Sequence, residues 1–264
     1  MTETASGHPA RGRTRRITQA CADCAVLLVR CGRHTLRSRD TLVISVLLPI
    51  LIMLLFVYVF GGAIEVEGSY PDYVVPGIVL LCTGFGASIT ATAVAGDMSS
   101  GAVQRFRTLP MFRQALLTGH AGEGVLRNLA AIAIVLVLAV PLGFRPRADI
   151  SDWLTALALI VLFVLAVTWI AVALGLLAHS PEAAGGFTYA IMFIPYLSSA
   201  FVPTGTMPGW LRGFADNQPA TAVVDTLRAQ WGGAGNGSAG SAVIWCLGLA
   251  ALGYAGAAVL YERR

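Results

Sequence analysis

Six runs of mostly apolar residues, each about twenty residues long, occupy most of this 264-residue chain. A helix needs about 20 apolar residues to cross the roughly 30 Å hydrocarbon core of a membrane, and a helix leaves no backbone polar group unpaired in lipid. The runs cover residues 42–61, 73–95, 125–143, 153–178, 183–202 and 241–261. With 56% hydrophobic and only 12% charged residues, the sequence predicts an all-α integral membrane protein with six transmembrane helices.

The basic residues predict the orientation. All 18 of them are arginine, and if the N-terminus is cytoplasmic, fourteen lie on the cytoplasmic side, Arg127 among them. The four on the other side are Arg145, Arg147, Arg212 and Arg228. Because arginines near span ends favour the cytoplasm, we expect a multi-pass protein of the cell (plasma) membrane with both termini cytoplasmic. The use of arginine alone points to a GC-rich bacterial genome.

The region before the first span divides in two. Residues 1–16 are predicted to be a disordered, basic cytoplasmic tail that is attracted to membrane lipid, and residues 17–40 an amphipathic helix lying in the membrane interface. The polar part is too long for a cleavable signal peptide. Cys21 and Cys24 form a CxxC, which is either a redox or metal pair or, as we favour without a second CxxC, two small residues on a helix face.

Several chemistries are excluded by missing residues. A P-loop needs a lysine, and the four isolated histidines form no zinc-protease motif. We therefore expect no catalysis, no metal or cofactor site in this chain, and no nucleic acid as a partner. Glu123 and Arg127 are placed at the cytoplasmic start of the third span, as a conformational latch or as an ordinary interfacial ion pair. With no ionisable group deep in a span, a gradient-coupled carrier is disfavoured, unless its site is built from backbone carbonyls.

The polar segment between the second and third apolar runs has the character of a docking element. Val103, Phe106 and Leu109 form an apolar ridge, with Arg105 and Arg107 beside it. A glycine at 101 lets the chain turn, and a proline at 110 ends the helix. Such a helix suits a groove on a soluble partner, the alternative being an amphipathic loop on lipid headgroups.

The connection between the fifth and sixth runs, residues 203–240, is predicted to be partly embedded in the membrane. Prolines and glycines break the fifth helix there, and a tryptophan and a leucine offer an interfacial anchor. The residues that carry this prediction are Pro203, Met207, Pro208, Trp210, Leu211, Asn217 and Pro219. A surface loop dipping into the headgroups is the alternative.

Three segments resemble one family. The segment from Asp97 to Arg113, with its Arg-Phe-Arg and Leu-Pro, resembles the cytoplasmic coupling segment of the type-2 ABC exporter permeases, in their daunorubicin-resistance branch. Residues 203–228 and, more weakly, residues 143–154 resemble other parts of these permeases. The resemblance implies a permease domain over residues 41–264 and a re-entrant outer gate formed by the residues of the 203–240 connection. The residues that it implies in ATPase coupling are Asp97, Gly101, Val103, Arg105, Phe106, Arg107, Leu109 and Pro110.

The same resemblance implies partners. A second permease subunit, as a homodimer or a heterodimer, and two cytoplasmic ABC ATPase subunits that bind ATP and Mg²⁺ are expected. The sequence therefore favours the permease subunit of an ATP-driven exporter that moves an amphipathic drug, natural product or lipid-like molecule out of the cell. The alternative is a membrane scaffold or sensor whose cytoplasmic loop docks a soluble partner.

Overall fold

The protein is all-helical in its described part. The computed structural model describes residue 32 and residues 39–64, 66, 68–100, 115–233 and 237–263. Its α-helices are α1 (Arg39–Leu55), α2 (Tyr70–Ser99), α3 (Ala115–Ala139), α4 (Ile150–Leu177), α5 (Pro181–Phe193), α6 (Gly209–Asn217), α7 (Pro219–Gln230) and α8 (Ala239–Arg263). A π-helical turn, Phe56–Phe60, continues α1, and two 3-10 turns, Ile194–Leu197 and Thr204–Thr206, follow α5. The predicted all-α class is confirmed for these ranges. The predicted tail 1–16 and nearly all of the interface helix 17–40 lie outside them.

Four of the six predicted spans are helices long and apolar enough to cross a membrane, namely α2, α3, α4 and α8. At the first position, α1 and its π turn contain a shorter apolar helix, Ser45–Phe60. At the fifth position, α5 has only 13 residues before the backbone tightens into a 3-10 turn. The described residues thus contain four candidate spans, and the six-span count remains a prediction.

The third span begins earlier than the sequence predicts. Its helix starts at Ala115, ten residues before the predicted start at 125. The charges of Glu123 and Arg127 lower the local hydropathy, so the apolar run is cut short there. In the folded chain these two side chains pair with each other inside the bundle, and the helix continues through them.

The bundle is built around α2. Nineteen of its thirty residues are buried, and it packs against α3, α4 and α5. Two of its glycines lie at close helix contacts: Gly84 faces Met192 of α5, and a methyl group at Gly86 would overlap the Asn128 side chain of α3. Small residues let helix backbones approach closely in membrane bundles, and these two glycines do so here.

Contacts between the connections define two ends of the bundle. At one end, the backbone N–H of Arg145 donates to Asp72 (2.8 Å) and that of Arg147 donates to the Trp231 carbonyl (3.0 Å). These contacts join the start of α2, the α3–α4 connection and the end of α7. At the other end, Leu116 and Tyr261 belong to one small apolar cluster. The end of α2 and the start of α3, which flank residues 101–114, lie at this second end.

Candidate functional site

The predicted coupling segment meets the described structure only at its beginning. Asp97 lies in the last turn of α2, and its Oδ2 is 3.1 Å from Nε2 of His120 on α3. The His120 side chain is buried and that of Asp97 is about one quarter exposed. This contact joins the two helices that flank the segment. The other predicted coupling residues, at positions 101–110, lie outside the described residues, so their role stays a prediction.

A buried ion pair lies in the centre of α3. Arg127 is the thirteenth of the helix's 25 residues, and its Nη1 is 2.7 Å from both carboxylate oxygens of Glu123. Both side chains are less than one tenth exposed. The pair was predicted to lie at the membrane interface, at the start of the third span. The structure shows it buried within the helix bundle, and its depth in the membrane stays a prediction. The expectation that no ionisable group lies deep in a span, which disfavours a gradient-coupled carrier, therefore also stays a prediction.

The arginine of this pair also binds the neighbouring helix. Its Nη2 donates to the Gly86 carbonyl (3.0 Å) and to Thr90 Oγ1 (2.8 Å), both on α2. Gly124, between the paired residues, packs directly against Thr90 and against Thr168 of α4. Buried charges need such paired, hydrogen-bonded surroundings because lipid and apolar side chains solvate them poorly. The arrangement links α2 to α3 near the middle of both helices, and the latch role remains a prediction.

This polar cluster is not fully satisfied. Among the described residues, Nε of Arg127, Nδ2 of Asn128 and Oγ1 of Thr168 are buried without a hydrogen-bond partner. Buried polar atoms without partners are uncommon in native proteins. Rearrangement of α2, α3 and α4 against one another would therefore lose fewer hydrogen bonds here than in a fully paired core. The i,i+4 spacing of Glu123 and Arg127 was the sequence pattern that indicated the ion pair. No sequence pattern indicated the neighbouring residues on α2 and α4.

The segment between α5 and α8 forms two short helices. The fifth helix ends at Phe193, before the predicted breakers, and the chain turns through residues 198–208 into α6. Seven residues were predicted to form an outer gate: Pro203 and Met207 flank a 3-10 turn, Pro208, Trp210 and Leu211 start α6, Asn217 ends it, and Pro219 starts α7. Trp210 is four-fifths exposed, which suits an interfacial anchor. Gating and re-entry into the membrane remain predictions.

Arg228 holds this segment to α2, a role that the sequence did not indicate. Its Nη2 donates to the carbonyls of Ser199 (2.7 Å) and Ala200 (3.0 Å), and its Nε donates to the Tyr73 carbonyl (3.0 Å). The guanidinium also pairs with Asp225 (2.9 Å) and stacks 3.6 Å from the centre of the Tyr73 ring. Five planar N–H donors suit arginine to such convergent carbonyls. Only its i,i+3 spacing from Asp225 could have suggested it.

Burial changes the pKa of the Arg228 guanidinium. Loss of solvent lowers the pKa of Arg228 from its ordinary value, while Tyr73 and Asp225 act in the opposite direction. An arginine guanidinium keeps its positive charge in proteins at physiological pH. Arg228 is therefore a permanent positive anchor for the turn at Ser199 and Ala200.

Comparison with known proteins identifies the family of this chain. The sequence model of the ABC-2 type transporter family matches residues 22–230. The chain is 32% identical over 185 residues to the daunorubicin resistance ABC transporter permease protein of Streptomyces coeruleorubidus. This alignment covers 69% of this chain and 65% of the relative. It is 25% identical over 196 residues to the probable doxorubicin resistance ABC transporter permease protein of Mycobacterium tuberculosis, covering 73% and 70% of the two chains. The first match thus spans slightly less than two thirds of the relative's length. Because the family model matches most of the sequence, this chain belongs to the ABC-2 type transporter family.

Proposed function

We propose that this chain is the membrane permease subunit of an ATP-driven exporter, which moves an amphipathic drug, natural product or lipid-like molecule outward. A separate ABC ATPase, with ATP and Mg²⁺ bound, supplies the energy. The single observation that carries the proposal is the family match over residues 22–230. It is supported by relatives whose names are those of drug resistance permeases and by four helices apolar enough to span a membrane.

The contacts of α2 suggest how movement would pass through the subunit. At one end, Asp97 joins α2 to His120 of α3, and at mid-span Arg127 joins the same two helices again. A shift of the segment between them would therefore move α2 and α3 together. At the other end, Tyr73 of α2 binds the turn that Arg228 anchors. A 30-residue helix is about 45 Å long, so α2 would transmit a rigid-body motion from the ATPase to the outer segment.

The finer topology is part of the proposal. The continuous helix of α1 and its π turn, 22 residues from Arg39 to Phe60, is about 33 Å long at the α-helical rise, enough to cross a bilayer. We place α5 as the fifth span, with α6 and α7 returning as a re-entrant element. If Arg127 lies within a span, thirteen arginines remain on the cytoplasmic side and four on the outer side. We therefore still place both termini in the cytoplasm.

Coupling is tested by co-expressing the chain with a candidate ABC ATPase and purifying the complex. Phe106→Ala and Arg107→Glu are expected to reduce both the recovered ATPase and its ATP hydrolysis, because an aromatic anchor and its neighbouring arginine dominate such a contact. Arg212→Glu, on exposed α6 at the other end, is the matched control and should leave both quantities unchanged. Equal association and hydrolysis in all three variants would contradict the coupling assignment.

Transport is tested in inside-out vesicles that contain the complex and a fluorescent amphipathic drug. We expect ATP-dependent uptake that persists when a protonophore collapses the proton gradient. Uptake that stops with the gradient while ATP is maintained would instead identify a coupled carrier, for which the Glu123–Arg127 pair offers intramembrane charge. The two outcomes separate the proposed exporter from that alternative.

A further inference from the structure

A polar cavity of about 670 Å³ lies at the Arg228 end of the bundle. Three arginines, Arg145, Arg147 and Arg228, line it, and Asp72 is the one acidic residue among its described lining residues. The backbone of Gly232, at φ +78°, passes so close to the Arg147 carbonyl that a side chain there would collide with it. We call this space the arginine cavity.

Two of the three arginines are available to a ligand. Arg228 is already engaged by Asp225 and by backbone carbonyls. Within the described part of the chain, the exposed guanidinium groups of Arg145 and Arg147 have no ion-pair or hydrogen-bond partner, and only their backbone N–H groups are bound, to Asp72 and Trp231. The cavity therefore has two positive charges that are not neutralised by contact with a described residue.

The two acidic residues at the start of α4 bind the end of their own helix and not the arginines. Asp149 and Asp152 form a reciprocal capping box at the N-terminus of the helix, in which the backbone N–H of Asp149 donates to Asp152 Oδ2 (3.0 Å). Their negative charges compensate the free N–H groups and positive dipole of that terminus. Neither residue lines the arginine cavity.

An apolar groove of about 450 Å³ lies next to this cavity, between α3 and α4. Its described lining is entirely apolar and includes Ala133, Leu136, Ile150, Leu157 and Trp153. The ring of Trp153 is 5.7 Å from that of Trp231, which lines the arginine cavity. One pair of indoles thus separates the charged cavity from the apolar groove, which we call the α3–α4 groove.

We propose that the arginine cavity and the α3–α4 groove together bind one anionic phospholipid. Arg145 and Arg147 take the phosphodiester and the net negative headgroup, because guanidinium groups pair with phosphate oxygens through parallel hydrogen bonds. One acyl chain lies along Leu136 and Leu157 in the groove, whose lining is entirely apolar among the described residues. The site is separate from drug export and does not rest on the proposed function.

Charge and shape together select this occupant. A free phosphate would use the cavity and leave the groove empty, whereas a neutral or zwitterionic lipid would use the groove without a net charge opposite the two arginines. The bound lipid would also bridge the α3–α4 connection and the end of α7, since Arg147 and Trp231 already share a backbone hydrogen bond there. We expect it to stabilise this end of the bundle against heat.

The test uses the purified full chain in a neutral detergent, titrated with phosphatidylglycerol or phosphatidylcholine carrying identical acyl chains, with bound lipid counted by native mass spectrometry. The wild type should prefer phosphatidylglycerol. The double variant Arg145→Gln/Arg147→Gln should lower that preference by about thirtyfold, since one arginine near an anionic headgroup contributes about fivefold. Both side chains are exposed and make no hydrogen bond or ion pair in the described fold, so the variant is expected to fold.

Two further variants separate the headgroup from the chain. Arg212→Gln, an exposed arginine on α6 that pairs with Asp216, should retain the wild-type preference. Ala133→Trp fills the groove from its exposed side and should weaken both lipids while leaving their ratio unchanged. Equal binding of the two lipids by the wild type, or an equal loss in Arg212→Gln, would overturn the proposal. So would complete displacement by inorganic phosphate with no effect of Ala133→Trp, which would assign the cavity to a free anion.

Discussion

Breaking the ion pair in the centre of α3 should destabilise the protein more than removing it entirely. Arg127→Met leaves the buried carboxylate of Glu123 without its two 2.7 Å hydrogen bonds. Loss of one partner of a buried pair costs about 3–5 kcal/mol. The variant also loses the bonds to Gly86 and Thr90, worth about 0.6 kcal/mol each between membrane helices. The expected total is about 4–6 kcal/mol.

The double variant Glu123→Leu/Arg127→Met removes both charges and restores an apolar contact of similar volume. It avoids the unpaired charge, so its cost should be smaller than that of Arg127→Met alone, because apolar replacement of a buried pair is often neutral. The coupling between the two positions should be about 3 kcal/mol or more. A control substitution, Leu126→Met, changes an exposed residue between them and should have little effect.

The assay is a double-mutant cycle on the free energy of unfolding, measured by denaturant titration of the purified protein in mixed micelles. Surface expression of each variant gives an independent check on folding. Additive losses, with the double variant as unstable as the sum of the two single variants, would refute the view that the residues act as a pair. A loss below about 1 kcal/mol for Arg127→Met would contradict its burial, since such values are typical of exposed pairs.

Three other predictions follow from the packing. Gly86→Leu should abolish recovery of folded protein, because even a methyl group would overlap the Asn128 side chain, whereas Gly186→Ala meets open space and should give normal yields. Arg228→Gln loses its carbonyl bonds to residues 199 and 200, so hydrogen exchange should accelerate in α6 and α7 but not in α3; unchanged exchange would contradict the anchoring role. The fully buried thiol of Cys82 should react with maleimide in detergent only after unfolding.

Much of the fold follows from local sequence. The apolar runs predict α2, α4 and α8 because a span's length and composition must match the bilayer wherever its neighbours lie. The fifth helix was predicted to run to residue 202, but it ends at Phe193 and continues as a 3-10 turn. The third helix begins at Ala115, ahead of the predicted start of the span at 125, since hydropathy treats Glu123 and Arg127 as separate exposed charges. Asp97 was chosen for its place in a motif, but its contact with His120 was not expected.

Composition and order along the chain were enough to predict an all-α membrane protein that resembles the ABC-2 type permeases, with a polar segment between its second and third spans. These properties depend on composition and order along the chain. The burial of Arg127 at the middle of α3 and the anchoring role of Arg228 became visible only in the folded chain, because their partners are 41 and 155 residues away, at Gly86 and Tyr73. A charge inside a helix bundle is tolerated only where folding brings such partners to it. Local sequence patterns cannot predict these contacts, because the partners are distant along the chain.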